Sequence, residues 1–110
     1  MKYSIAIPAY KGKFLSKCIV SVLKQDYSDF ELIVVNDASP EDLYSIVNQF
    51  DDPRIRYFKN EKNCGAENVV DNWNICLSYA VGDYFVLMGD DDEMMPDYLS
   101  SFNNLIIEFP

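Results

Sequence analysis

The chain has 110 residues, the size of one ordinary domain, and 49% of them are apolar, which excludes an intrinsically disordered protein. Acidic residues outnumber basic ones by 18 to 9, and the net charge of −9 argues against a surface that binds nucleic acid. Three cysteines without any histidine provide neither a disulfide framework nor a zinc site. We expect Cys18 and Cys76 to be reduced core residues.

The first half of the chain alternates between strand-like and helix-like stretches. A run of β-forming residues that stops at a proline predicts a strand over 3–8. Apolar residues at helical spacing predict a helix over about 13–25, and the apolar run 30–35 predicts a buried strand. Ser39 or Pro40 is expected to open a second helix. The apolar face of that helix carries Leu43, Ile46, Val47 and Phe50.

The second half repeats the alternation. A third short strand is predicted over 54–58, and a helix from Ala66 to about Ala80, capped by Gly82. A fourth strand over 83–88 is followed by acids, and Pro96 then starts a last helix that runs to about Ile107. The apolar face of the third helix contains Trp73, which we expect in the core.

The order β-α-β-α-β-α-β-α predicts an α/β fold with an open, mostly parallel sheet and helices on both faces. Ligands bind to such sheets beyond the carboxyl ends of the strands. Asp37 follows the second strand, and the acidic run 90–93 follows the fourth. We therefore expect these acids to face one crevice.

The acidic run is the strongest local signal. Asp90, Asp91, Asp92 and Glu93 repel one another, and a divalent cation would remove that cost. Oxygen ligands favour magnesium, manganese or calcium, and a cation held by one or two carboxylates keeps coordination positions for phosphates. The alternative interpretation is a solvated acidic turn that caps the last helix.

Residues after the first two strands are further candidates. Asp37 would accept a hydrogen bond from a base or a ribose hydroxyl, or would cap a helix, a role that Ser39 fits equally well. Tyr10 would pack on a flat base or be a partly buried loop aromatic. Lys11 and Lys13 lie near enough to contact a diphosphate, although the simpler expectation for each lysine is a position on the solvated surface.

The segment 63–65 is expected to open the third helix, and a helix N-terminus with a glycine suits an anion or a hydroxyl. No run of roughly 18–20 apolar residues is present, and no signal peptide opens the chain. We expect a cytoplasmic segment, in a full-length protein whose association with a membrane is left open.

Together, these motifs resemble the N-terminal half of family 2 glycosyltransferases, in the family's order and spacing. The matching segments are IAIPAY (5–10), CIVSVLKQDY (18–27), FELIVVNDAS (30–39), PRI (53–55), NCG (63–65), NWN (72–74), AVGDY (80–84), GDDD (89–92) and PD (96–97). The resemblance implies a nucleotide-diphospho-sugar transferase fold, of which this chain is the Rossmann-like half.

The resemblance also implies roles for individual residues. Pro8, Ala9 and Tyr10 would line the base pocket, and Asp37 would bind the pyrimidine. Asp91 matches the metal ligand of the family's DxD motif, with Mn²⁺ or Mg²⁺ as the cofactor, and Asp90 would lie near the ribose and phosphates. The remaining residues expected to contact the substrate are Asn63 and Gly65.

Four positions depart from the family pattern and leave the particular sugar nucleotide open. They are Lys11 in place of the usual asparagine, Asn36 in place of the first acid after the second strand, Gly89 in place of the first acid of the metal triplet, and Trp73 in place of an arginine. If the triplet is instead Asp90 to Asp92, either outer aspartate would share the metal.

The implied reaction is transfer of a sugar from a nucleoside-diphosphate sugar, UDP-linked, to an acceptor hydroxyl with inversion. The expected partners are that donor and a carbohydrate or lipid-linked acceptor in polysaccharide biosynthesis at the cell envelope, without nucleic acid; a homodimer is left open. The family's catalytic base lies beyond residue 110, so we expect residues 1–110 to be a truncated donor-binding part, inactive alone.

One other class remains as an alternative, and two further classes are disfavoured by the residues after the first strand. A non-catalytic module that binds nucleotide sugars would share all of these motifs. A phosphate-accepting signalling domain needs acids after the first strand, where this chain has Ala9 and Tyr10. A nicotinamide-dependent enzyme needs a glycine-rich turn at the same place, and none follows the first strand.

Overall fold

The structure, a computed structural model, describes residues 2–62 and 69–108. The strands and helices of these residues alternate regularly along the chain. They are β1 (Tyr3–Ala9), α1 (Leu15–Leu23), β2 (Phe30–Asn36), α2 (Leu43–Val47), β3 (Ile55–Lys59), α3 (Val69–Ser78), β4 (Tyr84–Leu87) and α4 (Tyr98–Glu108).

The strands form one sheet in the order β3-β2-β1-β4, and all three pairings are parallel. β1 is therefore central, with Ala9 beside Asn36 of β2 and Ala6 beside Leu87 of β4. Parallel neighbours need a crossover, and the intervening helices supply it. The predicted α/β fold with an open, parallel sheet is confirmed.

The sheet separates two apolar layers because successive side chains of a strand point to opposite faces. Ile5 and Ile7 belong to the larger layer, which α1, α2 and α4 cover, whereas Ala6 belongs to the smaller layer beneath α3. Cys18 is buried in the first layer and Cys76 in the second, so the prediction that both are core residues is confirmed.

The start of α2 differs from the prediction. Asp42, not Ser39 or Pro40, is the N-cap, and its carboxylate accepts hydrogen bonds from the backbone N–H (3.2 Å) and the hydroxyl (2.6 Å) of Ser45. The helix ends at Val47, so Phe50 lies beyond it although its ring still packs against the core.

The rotation of α3 also differs. Trp73 is 41% exposed, so the prediction that it lies in the core is wrong, whereas Asn72 is only 6% exposed. The Asn72 amide oxygen accepts a hydrogen bond from Asn60 after β3, which turns this polar residue inward. The predicted start of α3 at Ala66 lies outside the described residues.

Gly82 has a role other than the predicted helix cap, because α3 already ends at Ser78. The Gly82 N–H donates to the Ser4 hydroxyl at 2.8 Å. A Cβ at this position would come within 2.7 Å of the Ser4 Oγ and 2.8 Å of the Lys2 carbonyl oxygen. The glycine therefore allows the turn before β4 to lie directly against β1.

None of the described helices is long and apolar enough to cross a membrane.

Candidate functional site

The loops that follow β1, β2 and β4 meet at the carboxyl edge of the sheet. The Asp37 N–H donates to the Ala9 carbonyl at 2.9 Å, which joins the ends of β1 and β2. The Asp90 Oδ2 accepts hydrogen bonds from the backbone N–H groups of Tyr10 and Lys11, each at 2.8 Å. The central position of β1 thus brings Tyr10, Asp37 and Asp90 together.

The loop after β1 is tied to the loop after β2. The Ser39 hydroxyl donates to the Tyr10 carbonyl, and the Glu41 carboxylate accepts the Gly12 N–H at 3.2 Å. Ala38 has a φ of 51°, a left-handed conformation that is rare for a residue other than glycine. The Asn36 amide oxygen accepts the Ser39 N–H at 2.9 Å, and this bond holds the tight turn together with the bonds of Asp37 and Ser39 to the end of β1.

The three residues predicted to line a base pocket differ in exposure. The Tyr10 side chain is 41% exposed, and Pro8 is partly buried. Ala9 is fully buried in the core, and its carbonyl already accepts the Asp37 N–H. Tyr10 therefore offers a ring to a ligand, whereas Ala9 shapes the turn beneath it.

Asp37 belongs to a chain of polar side chains across three elements. It is only 7% exposed, and its Oδ1 accepts a hydrogen bond from the Asn60 amide at 3.0 Å. The same Asn60 amide nitrogen donates to Asn72 of α3 at 3.0 Å. We did not predict Asn60 from the sequence, although its position directly after β3 at the carboxyl edge was an available signal.

The acidic loop is anchored at both ends. On one side the Met88 N–H donates to the Ala6 carbonyl at 2.9 Å, which continues the β1–β4 ladder. On the other side the Ser21 hydroxyl accepts the Met94 N–H at 3.0 Å, and the buried Gln25 side chain bonds the backbone of Met95 and Leu99. α1 therefore sets the position of the acids.

Within this loop the carboxylates have different tasks. Asp90 holds the loop after β1, and the Asp92 Oδ2 accepts the Gly89 N–H at 2.9 Å in a local turn. The carboxylates of Asp91 and Glu93 make no hydrogen bond or ion pair within residues 2–62 and 69–108. Asp91 and Glu93 are thus the exposed acids of the loop that remain available to a ligand, and of these two Asp91 is the predicted metal ligand.

A divalent cation fits this loop only with oxygen ligands from a substrate or from water. No three acidic or cysteine side chains of the described residues converge as a preformed cation site. A cation at Asp91 would therefore draw on one or two carboxylates, which is how magnesium commonly binds beside phosphates. Gly89 lets the acids approach, because its Cβ position lies 3.2 Å from the Asp91 Oδ1.

Asp91 lines two small clefts that contain charges of both signs. Lys11, Lys13, Phe14 and Asp90 complete a cleft of about 200 Å³. Phe14, Lys17 and Glu93 complete a second cleft of about 240 Å³. A larger apolar cavity of about 360 Å³ lies between α1 and 93–96, and its lining includes none of the predicted site residues.

The Cys18 thiol lies beneath the acidic loop, where its Sγ contacts the Gly89 carbonyl at 3.5 Å. Burial, followed by the negative charges of residues 90–93, raises the pKa of the Cys18 thiol to about 12. The thiol therefore stays protonated near neutral pH and does not serve as a nucleophile. The predicted substrate contacts Asn63 and Gly65 lie outside the described residues.

The sequence of the chain is similar to the sequences of known proteins. Residues 4–109 match the model of the family described as glycosyl transferase family 2. The chain is 41% identical over 102 residues to the putative colanic acid biosynthesis glycosyl transferase WcaA of Escherichia coli, covering 90% of this chain and 36% of that protein. It is 37% identical over 103 residues to the Campylobacter jejuni GalNAc(5)-diNAcBac-PP-undecaprenol beta-1,3-glucosyltransferase, covering 91% of this chain and 33% of that protein. The chain therefore spans about a third of the length of these relatives.

Solved structures share the fold. Staphylococcus aureus TarS in complex with UDP superposes with a TM-score of 0.89 and 27% identity, over 98% of this chain and 32% of that chain. The Pyrobaculum calidifontis mannosyltransferase PcManGT, in complex with GDP-Man and Mn²⁺, has the same fold with a TM-score of 0.75 at 21% identity, over 94% of this chain and 31% of that chain. From the family match over nearly its whole length and from this parallel sheet, the chain belongs to glycosyl transferase family 2.

Proposed function

We propose that this chain forms the site for a UDP-linked sugar donor in an enzyme that transfers the sugar to an acceptor hydroxyl with inversion. The observation that carries the proposal is the exposed Asp91 carboxylate, which lines a cleft together with Asp90, the residue that holds the backbone of Tyr10. Support comes from TarS, which is 27% identical and was solved with UDP, and 26% identical in its complex with UDP-GlcNAc.

The crevice suits recognition of a nucleotide. Tyr10 offers an exposed ring on which a flat base would stack, and Asp37 is oriented by the Asn60 amide. A carboxylate held in this way is prepared to accept an N–H from a pyrimidine without first losing conformational freedom. Asp90 fixes the loop that carries Tyr10, so it acts on the donor chiefly through the shape of the crevice.

Asp91 is the residue that would hold Mn²⁺ or Mg²⁺. A bound cation of this kind stabilises negative charge that develops on a leaving diphosphate. In the complete reaction a general base removes the proton of the acceptor hydroxyl as this attacks the anomeric carbon. The chain supplies donor and metal binding in this scheme, and the base is assigned to another part of the protein.

The names of two relatives support a proposal for the acceptor class. The Campylobacter jejuni protein is named for a lipid-linked diphosphoundecaprenol acceptor, as is Escherichia coli WfgD, which is 37% identical over 90 residues. These names support a carbohydrate or lipid-linked acceptor. We extend the proposal to a role in polysaccharide biosynthesis at the cell envelope.

The test is a calorimetric titration of UDP with and without Mn²⁺, using the wild-type chain and its Asp91→Asn variant. We expect Mn²⁺ to strengthen UDP binding, and Asp91→Asn to weaken the Mn²⁺-dependent binding by about tenfold or more, because one charged ligand is lost. Asp97→Asn is the matched control, since Asp97 is an exposed acid beyond the loop. Absence of UDP binding with Mn²⁺ would contradict the donor site, and wild-type behaviour of Asp91→Asn would remove Asp91 from it.

A further inference from the structure

The segment that leads into and forms α1 is basic in an otherwise acidic chain. Residues 11–25 contain four lysines and no acid, whereas the whole chain has a net charge of −9. The lysines are Lys11, Lys13, Lys17 and Lys24. Basic charge is therefore concentrated on the segment that packs beneath and beside the acidic loop.

Two of these lysines line the same cleft as the proposed metal ligand. Lys11 and Lys13 border the cleft of about 200 Å³ together with Phe14, Asp90 and Asp91. The Lys13 Nζ lies 5.2 Å from the centre of the Phe14 ring, which is within the range of a cation–π contact. The backbone N–H of Lys11 is bound by Asp90, so the lysine-bearing loop is fixed relative to the acids.

The charges in this cleft do not neutralise one another directly. Within residues 2–62 and 69–108, neither Lys11 nor Lys13 forms an ion pair, and Asp91 forms none. Exposed ion pairs contribute little to stability, so the fold does not require these groups to pair. The cleft thus presents ammonium groups to an anion and a carboxylate to a cation at the same time.

A diphosphate beside Asp91 needs compensating positive charge, because its oxygens would otherwise face a carboxylate. We propose that Lys11 and Lys13 bind the diphosphate oxygens of the donor directly, in the cleft that they share with Asp91. Lysine binds phosphate as a compact point charge with three rotatable donors, which suits an exposed, flexible contact. The lysines then retain part of the diphosphate affinity when no divalent cation is present. This inference rests on the proposed donor site and adds specificity-determining residues to it.

The experiment compares UDP with uridine in the presence of EDTA, so that metal contributes nothing. We expect the wild-type chain to bind UDP about tenfold or more tightly than uridine, since only UDP reaches the lysines. Lys11→Gln and Lys13→Gln should each lower the UDP affinity severalfold, and the double variant should bring it close to that of uridine. Uridine affinity should stay unchanged in all variants.

Lys24→Gln is the matched control, because it removes the same charge from an exposed residue next to the end of α1, outside the 200 Å³ cleft. The inference is overturned if the UDP-to-uridine ratio of the double variant equals that of the wild type, or if the wild type does not prefer UDP without metal. Both results leave the donor site intact as long as Mn²⁺-dependent UDP binding persists. Failure of that binding in the wild type would instead contradict the proposed function, and this inference with it.

Discussion

At the scale of single residues, Glu31 is a buried acid of β2 whose carboxylate interacts with a hydroxyl, a backbone N–H and an arginine. Its carboxylate accepts hydrogen bonds from the Ser4 hydroxyl at 2.6 Å and from the Val81 N–H at 2.8 Å, and it pairs with Arg56 at 2.8 Å. Burial by itself raises the pKa of Glu31, but these hydrogen bonds and the Arg56 charge outweigh it and hold the pKa below its usual range. The network joins three strands to the turn before β4.

We expect Glu31→Gln to lower the free energy of unfolding at pH 7 by about 1–3 kcal/mol, because it weakens charge-assisted hydrogen bonds in a buried site. Because the pKa of Glu31 is lower in the folded chain than in the unfolded chain, ionised Glu31 stabilises the fold at any pH above its unfolded pKa of about 4.3. This stabilisation is lost as the pH falls through the pKa that Glu31 has in the folded chain. Urea unfolding at pH 7 and pH 3 should therefore show a larger fall for the wild type than for Glu31→Gln. Glu61→Gln serves as the control, because Glu61 is exposed. An equal fall in the free energy of unfolding for the wild type and for Glu31→Gln would contradict the assignment of this pH dependence to Glu31.

At the scale of elements, the site depends on how closely the turn before β4 approaches β1. Gly82 makes this contact with the Ser4 side chain and the Lys2 backbone, and β4 then continues directly into the acidic loop. The far side of that loop is held by Ser21 of α1 and by Gln25, which follows the end of the helix. The acids are therefore positioned by one strand and one helix, not by interactions within the loop alone.

We expect Gly82→Ala to cost about 1–3 kcal/mol of unfolding free energy, because its Cβ would meet backbone atoms that can move only by shifting β1. Gly12→Ala is the matched control, since its nearest neighbour is the terminal methyl group of Ile46 at 2.8 Å, which rotates away more easily. Denaturant unfolding of both variants measures the difference. An equal or larger cost for Gly12→Ala would show that the contact with β1 is not critical.

At the scale of the whole molecule, α4 carries apolar side chains on two faces. Leu99 is fully buried in the core, whereas Tyr98, Phe102 and Leu105 form a second stripe that is between 40% and 54% exposed. A stripe of this kind is unusual on a monomeric surface and favours association.

We expect the chain to self-associate weakly as its concentration rises, with the α4 stripe taking part. Leu105→Lys should reduce the association while changing the stability by less than about 0.5 kcal/mol, since Leu105 is more than half exposed. Ser101→Lys adds the same charge to an exposed polar position of the same helix and should leave the association unchanged. Sedimentation equilibrium measures both, and a strictly monomeric wild-type chain would contradict the expectation.

Much of the fold was determined by the sequence alone. Apolar runs predicted each strand of the residues that the structure describes, and the predicted strand ends lie within two residues of the observed ones. The parallel arrangement then placed the residues after β1, β2 and β4 at one edge, because all strands of such a sheet end there. For this reason the sequence predicted that Tyr10, Asp37 and Asp90 lie close together at one edge of the sheet.

Only the tertiary structure decided which face of α3 turns inward and which carboxylates remain available. The apolar pattern of α3 favoured Trp73 as a core residue, but Asn72 is inward because Asn60 offers it a hydrogen bond from another element. Likewise, the four adjacent acids are equivalent in the sequence, whereas the backbone N–H groups of Tyr10, Lys11 and Gly89 engage Asp90 and Asp92. The periodicity of the sequence shows which positions of one element are apolar. The orientation of a polar side chain depends on hydrogen-bond partners from other elements, and these come close to it only in the folded chain.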